Sequence, residues 1–162
     1  MVSRTRKKFF IIMGKYYEEF GYPRLCGWID ALLMLEPQDW TQEGISQRLS
    51  EIFSETDQPT SLASVNRALK ILEKYGTIIK SGSRKLGYKY RAAPSSTILT
   101  SMFNQFITTN EKIVRELVEL KGVGMGEDDP KLQEIVEFEI NGIELFNQLL
   151  KNIVTSIETE ES

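Results

Sequence analysis

The feature that most constrains the fold is a change of hydrophobic period at Gly76. Before this residue, Val65, Leu69 and Leu72 recur at spacings of four and three, which places them on one face of a helix. Ser61 is a favourable N-cap for that helix, because its hydroxyl can accept a bond from a first-turn amide. Gly76 suits the left-handed position just after the helix end.

Two short strands follow this helix. Residues 77–81 and 88–92 are rich in β-branched and aromatic side chains, and the glycine-containing segment 82–87 between them predicts a turn. A helix with small side chains near its start, followed directly by a basic hairpin, is the arrangement that a winged helix-turn-helix uses on DNA. The sequence therefore predicts a mainly α fold with a small two-stranded β-wing.

Charge is distributed unevenly along the chain. Residues 66–91 contain eight basic residues and one acid, a net charge of +7, whereas the whole chain has a net charge of −3. The remainder therefore carries −10. A basic island in an acidic protein indicates a site for a polyanion. The alternative interpretation is a solvated surface helix with a lysine-rich hairpin.

We expect two groups of side chains to contact DNA. An arginine can bond guanine O6 and N7 together, and serine and asparagine offer shorter donors and acceptors to bases. Other cations suit phosphates, which position the protein without specifying sequence. The recognition-helix candidates are Ser61, Ser64, Asn66, Arg67 and Lys70. The wing and backbone candidates are Thr41, Lys80, Arg84, Lys85, Lys89 and Arg91.

Several function classes are disfavoured. Histidine is absent, which removes the commonest general base and zinc ligand, and Cys26 lies in an apolar run typical of a buried structural thiol. An enzyme using carboxylates alone is the weakest option, because no pair of acids has an apolar setting. The apolar runs are too short for a membrane span, and the basic start at 4–13 lacks a cleavage-like site. We expect a cytoplasmic protein that is not an enzyme and needs no cofactor or metal.

Three helices are predicted before the basic helix. The first has its apolar residues between Phe9 and Phe20 and ends at Gly21. The second begins with Pro23 in its first turn and ends at Leu35; it is apolar nearly all round and should be buried. The third is capped by Thr41 and covers residues 42–53, after a break at 36–40 and before a turn at 54–59.

The chain after Pro94 is predicted to be helical and acidic. One helix alternates apolar residues at spacings of four and three from Leu99 to Leu120, with Asn110 either fixing pairing register or facing solvent. Residues 122–126 predict a plain turn, and a last helix starts at Asp129 and Pro130. Its apolar face is too wide for one small domain, so we expect a dimer interface, with intramolecular packing as the alternative. The interface candidates are Ile143, Phe146, Leu150, Ile153 and Ile157.

The segment Gly21–Ile29, GYPRLCGWI, resembles the Gly-x-Pro-Arg-x-x-Gly-x-Ile opening of GbsR-type regulators, a branch of the MarR-like winged-helix proteins. Residues 41–49 and 61–69 are similar to the family's two motif helices, and Arg84 matches its wing arginine. The resemblance covers about residues 9–106. It implies a DNA-binding regulator that dimerises through its terminal helices. It also leaves open a small-molecule effector. Aromatic residues at helical spacing are usually core residues, and the alternative is that they line a cage for a cationic effector; these residues are Tyr16, Tyr17, Tyr22, Trp28 and Trp40.

These observations predict an N-terminal helix at 1–20, a winged helix-turn-helix domain at 21–93 and a helical dimerisation region at 94–162. The predicted function is sequence-specific binding of double-stranded DNA by a homodimer on a palindromic operator, in control of transcription. The alternative is a winged-helix scaffold whose basic face docks an acidic protein partner.

Overall fold

The computed structural model describes residues 2–55, 60–93, 98–122 and 129–160. The chain forms two compact units, Met1–Ser96 and Thr97–Ser162. Most of the predicted turn at 54–59 and of the turn at 122–126 lies outside the described residues. Within the described ranges, no helix has the length and apolar character needed to cross a membrane. The elements are α1 (Arg4–Glu19), α2 (Arg24–Leu35), α3 (Gln42–Ile52), α4 (Leu62–Lys74), β1 (Ile78–Ser83), β2 (Gly87–Ala92), α5 (Ile98–Gly122) and α6 (Pro130–Glu160).

The helix ends in the first unit are set by the residues that the sequence indicated. Thr41 caps α3 by accepting a 3.0 Å bond from the amide of Gly44, and Ser61 caps α4 in the same way. Gly76 follows α4 with a φ of 70°. Pro23 differs from its prediction, since it is the N-cap of α2 and not its first helical residue.

The Gly-x-Pro-Arg-x-x-Gly segment joins α1 to α2 through close contacts. The guanidinium of Arg24 lies 2.7 Å from the carboxylate of Glu18. A Cβ atom at Gly27 would collide with the carbonyl oxygen of Met13, so only glycine lets the two helices approach this closely. The motif is thus explained by packing between α1 and α2.

Helix α2 is the buried centre of the first unit, as predicted. Ile29 and Leu32 are inaccessible to solvent, and so are Val65 and Leu72 on the inner face of α4. Cys26 is buried too, with its Sγ 3.9 Å from the carbonyl oxygen of Ala68. Burial raises the pKa of the Cys26 thiol to about 12, which confirms an inert structural thiol.

The five aromatic residues considered for a cation cage make core contacts. Trp28 stacks on Phe53 with a ring separation of 3.9 Å, and the backbone of Trp40 pairs with that of Tyr90. Tyr17 is fully buried and donates a 2.9 Å hydrogen bond to Asp30. Rings of Tyr16 and Tyr22 lie edge-on to Tyr17. These contacts favour core packing over the cage.

The β-wing has longer strands and a tighter turn than predicted. Strands β1 and β2 are antiparallel and paired from Ile78 with Ala92 to Ser83 with Gly87, which leaves only residues 84–86 in the turn. Gly82 has a φ of 94°, and a Cβ there would collide with the carbonyl oxygen of Gly87. The predicted six-residue turn was too long because its glycines belong to the strands.

Helices α5 and α6 form an antiparallel hairpin in the second unit. Asn110 donates a 2.8 Å bond to the side chain of Asn147, whose amide in turn donates to the carbonyl oxygen of Ile107. Asn110 therefore fixes register, but within one chain. Ile107, Leu150 and Val154 are buried together beside this polar pair.

Candidate nucleic-acid interface and apolar face

Three predicted DNA contacts form a hydrogen-bonded row on α4. Ser61 donates a 3.0 Å bond to the hydroxyl oxygen of Ser64, and Arg67 donates a 3.3 Å bond to the same oxygen. These residues are three apart in sequence, so they follow one side of the helix from its N-terminus. The row presents two hydroxyls in the first turn of the helix and a guanidinium about one turn further along. This arrangement can hydrogen-bond acceptor atoms of bases or phosphates.

Asn66 and Lys70 lie elsewhere on α4. Asn66 is partly buried and lies about 200° around the helix from Ser64, because each residue turns about 100°. It is therefore on the flank opposite the serine row. Lys70 is exposed next to Arg67 on the outer face, together with Lys74. Asn66 is thus separated from the other predicted base contacts.

The wing cations are divided between the two faces of the hairpin. Lys89 and Arg91 alternate with the buried Tyr90 and are exposed on the face opposite its side chain. Lys80 is on the face of Tyr90, where its ammonium lies 3.7 Å from the carboxylate of Glu73 and 4.2 Å from the ring centre of Tyr88. Lys80 therefore has partners within the protein, whereas Lys89 and Arg91 are exposed and form no ion pair within the described part of the chain.

The tip of the wing carries three exposed side chains. Arg84 and Lys85 lie in the turn, as the sequence predicted. Leu86 beside them is 84% exposed, and its amide donates to the hydroxyl of Ser83. Leu86 was not among the predicted site residues, because its position in the turn follows only from the strand register.

Helix α3 holds the start of α4 in place. Ser46 donates a 2.7 Å bond to the carbonyl oxygen of Thr60, and Gln42 donates to that of Leu62. Thr41 is exposed at the N-terminus of α3, where its hydroxyl accepts from an amide and can still donate. Two hydrogen bonds therefore connect α3 directly to the first residues of α4 and the residue before its N-cap.

The predicted dimer line on α6 is divided between the core and the surface. Leu150 is only 4% exposed and packs against Ile107 of α5, so its assignment to an intermolecular interface is corrected. Phe146 and Ile153 are about half exposed, and Ile143 and Ile157 are partly buried. Leu150 belongs to the hairpin core because α5, which the sequence did not pair with α6, covers that side.

A second apolar row on α6 is more exposed than the predicted line. Phe138 is 75% exposed and Leu145 is 62% exposed. Exposed residues also recur every seven positions on α5. Both rows are rotated in the same sense from the line of contact between the helices, and because the helices are antiparallel, they lie on the same side of the hairpin. We call this side the apolar face; it comprises Leu99, Phe106, Ile113, Leu120, Ile135, Phe138, Leu145, Phe146, Leu149 and Ile153.

The opposite side of the hairpin is charged. Lys151 lies 2.7 Å from the carboxylate of Glu111, and Arg115, Glu144 and Gln148 surround the same groove. The hairpin is therefore amphipathic as a pair of helices, with one apolar and one charged side.

No family model matches the chain, and no curated protein matches it. Among solved structures, the crystal structure of a transcriptional regulator has the same fold, with a TM-score of 0.68. It is 14% identical, and the match covers 96% of this chain and 99% of that chain. At this identity the likeness shows the fold alone, and it confirms the predicted winged helix with a small β-wing.

Proposed function

We propose that this chain is a sequence-specific, double-stranded DNA-binding regulator of transcription and not an enzyme. The observation that carries the proposal is the exposed basic surface formed by the outer side of α4 and the wing. The Ser61–Ser64–Arg67 row follows the N-terminal half of α4, and Arg84, Lys85, Lys89 and Arg91 are exposed on the wing. In winged helices these two elements read the major groove and follow the backbone. A structural neighbour that is a transcriptional regulator supports the same assignment.

The proposal includes a homodimer that pairs through the apolar face. Between Ile135 and Ile153 the apolar face of α6 carries few charges, and Glu139 lies at the edge of this face. The charged side of the hairpin is opposite to the apolar face. Large exposed apolar patches mark interaction sites, and a second copy offers an identical row of side chains. A dimer would present two recognition helices to successive major-groove faces and so favour a palindromic operator. The resemblance to GbsR-type regulators and a cytoplasmic location are parts of the same proposal.

Selection of bound duplexes from a random pool tests this function. We expect an enriched palindrome whose half-sites are about one helical turn apart, about 34 Å. Affinity for that duplex should fall steeply with salt and exceed affinity for a scrambled duplex by about 1,000-fold or more. Absence of any enriched sequence, together with equal affinity for both duplexes, would reject the proposal and favour the scaffold that docks an acidic protein.

A further inference from the structure

The most exposed large apolar side chain among the described residues is at the tip of the wing. Leu86 is 84% exposed, which exceeds the 75% of Phe138 on the apolar face. Phe138 has other apolar side chains beside it, whereas Leu86 is preceded by Lys85 and followed by Gly87. Pairing through a flat apolar face therefore does not account for the exposure of Leu86.

The backbone on both sides of Leu86 holds it at the end of the hairpin. Strand pairing extends to Ser83 and Gly87, so only three residues form the turn. The amide of Leu86 donates a 3.2 Å hydrogen bond to the hydroxyl oxygen of Ser83, which closes this turn. Gly87 has a φ of 83°, a conformation that favours glycine, and it adds no side chain next to Leu86. A tight turn therefore presents the leucine at the tip.

The surroundings of Leu86 are cationic. Residues 84–91 contain four basic residues and no acid, and all four basic side chains are exposed. An apolar group among cations complements a partner that has an anionic surface and an apolar interior. Duplex DNA has both, because phosphates border its grooves and stacked base pairs lie between them.

We infer that Leu86 is a wedge that enters the minor groove and partly unstacks one base step; this inference rests on the proposed function. The minor groove is about 6 Å wide and admits a single side chain of the tip, while Arg84 and Lys85 contact phosphates at its edges. Proteins that insert an apolar side chain in this way kink the duplex by about 20–90°. Pyrimidine–purine steps unstack most easily, so each half-site should contain one where the wing tip lies.

Fluorescence of 2-aminopurine tests the wedge, because stacking quenches this adenine analogue. The analogue replaces one adenine at a time in the selected duplex, and the full chain is added to saturation. We expect the fluorescence to rise severalfold at one step in each half-site. Unchanged fluorescence at every position of the saturated duplex would overturn the wedge.

Substitutions at Leu86 separate the wedge from the charge of the tip. Leu86→Ser should abolish the rise in fluorescence and the kink, which is measured by energy transfer between dyes at the duplex ends. Affinity should fall by about tenfold or less, because the cost of unstacking offsets the contacts that the wedge gains. The salt slope should stay as in the parent, since no phosphate contact is lost.

Two further variants serve as controls. Leu86→Met keeps an apolar side chain at the tip and should retain both the fluorescence rise and the kink. Met34→Ser removes an exposed apolar side chain of the same unit outside the wing, and it should leave both signals as in the parent. Equal signals from the parent and Leu86→Ser would overturn the wedge.

The duplex experiments distinguish this inference from the proposed function. If the selected duplex is bound but no base is unstacked, the wedge is rejected and the proposed function stands. If unstacking occurs equally in every duplex without sequence preference, the proposed function fails and the wedge stands. Binding to phosphatidylserine vesicles that Leu86→Ser abolishes, with no unstacked base in any duplex, would overturn the wedge and assign Leu86 to a lipid surface.

Discussion

The first unit encloses its apolar side chains, whereas the second leaves many of them exposed. Val65, Leu69 and Leu72 on α4 are packed under α2, and the outer side of the same helix is charged or hydroxyl-bearing. On α6, Leu150 is packed as tightly, but Phe138 and Leu145 are accessible on another side of the helix. In the first unit α2 contacts α1, α3 and α4, so several sides of this helix are covered. In a hairpin of two helices, each helix covers only the side of the other that it contacts. A hairpin with two apolar sides therefore leaves one of them exposed.

The two units also differ in charge. The basic residues are concentrated in the first unit between residues 66 and 91, and residues 92–162 contain thirteen acids against five bases. An acidic hairpin is not attracted to a nucleic acid, but its exposed apolar face can pack against the same face of a second copy. This difference supports the proposal that the first unit binds DNA and the second mediates dimerisation.

The largest expected effect comes from placing charge on the apolar face. Phe138→Glu combined with Leu145→Glu should raise the dimer dissociation constant by about 100-fold or more, because pairing would bury unpaired carboxylates. Operator affinity should fall with dimer content. Sedimentation equilibrium measures the first quantity and titration of the selected duplex the second. Gln148→Glu adds charge on the opposite side of α6 and serves as the control; equal dissociation in both variants would contradict the assignment.

Truncation of the core leucine should be the next largest effect. Leu150→Ala should lower the free energy of unfolding by about 2–5 kcal/mol, because it opens a cavity beside Ile107 and Val154. Leu149→Ala, one residue earlier and exposed, should change it by less than about 0.5 kcal/mol in the dissociated chain. Urea denaturation at low protein concentration compares the two variants. Similar losses would show that both leucines lie in one core.

Stability of the first unit should depend on the protonation of Asp30. Burial raises the pKa of Asp30 to about 6 from 3.8, although the hydrogen bond from Tyr17 opposes the shift. The folded state therefore binds a proton more tightly than the unfolded chain, and stability increases as pH falls from about 7 to about 4, by at most about 3 kcal/mol. This contribution is lost as pH rises through about 6.

Asp30→Asn tests that prediction, because it keeps an acceptor for Tyr17 and removes the charge. The variant should be more stable than the parent near neutral pH and should lose the pH dependence in this window. Urea midpoints at several pH values measure both effects. The exposed Asp39, changed to asparagine, should leave the profile as in the parent. A parent that becomes more stable between about pH 5 and pH 7 would contradict the sign.

Removal of Arg67 should affect sequence preference. Arg67→Ala should cost about 1–3 kcal/mol on the selected operator and relax the preference at one base position. Arg67 is exposed on α4, so the variant should remain folded. Binding to a set of single-base operator variants measures the loss. An unchanged preference at every position would remove Arg67 from base readout.

The smallest expected effect is that of the wing tip. Arg84→Ala should weaken the operator and a scrambled duplex alike, and should reduce the salt slope by about one unit for the lost phosphate contact. Salt titrations of both duplexes measure this slope. A loss confined to the operator would give Arg84 a role in sequence readout instead.

Elements with local signals were predicted well. The caps Thr41 and Ser61, the glycine after α4, the buried α2 and the hairpin followed from periods and capping chemistry that act within a few residues. The basic island between residues 66 and 91 could also be predicted from the sequence, because its cations lie on consecutive elements of the chain. Strand ends and the Trp40–Tyr90 bridge were missed, because pairing register depends on contacts between distant segments.

The sequence by itself determined which residues are apolar, which are charged and where helices begin and end. Only the tertiary structure decided which apolar side each helix buries. Leu150 and Leu149 are neighbours of the same type, and the position of α5 makes one core and the other surface. Likewise, packing of α4 against α2 placed a cavity beside Arg67. Helical periodicity fixes the angles between side chains around the helix axis, but the neighbouring element determines which side of the helix is exposed to solvent.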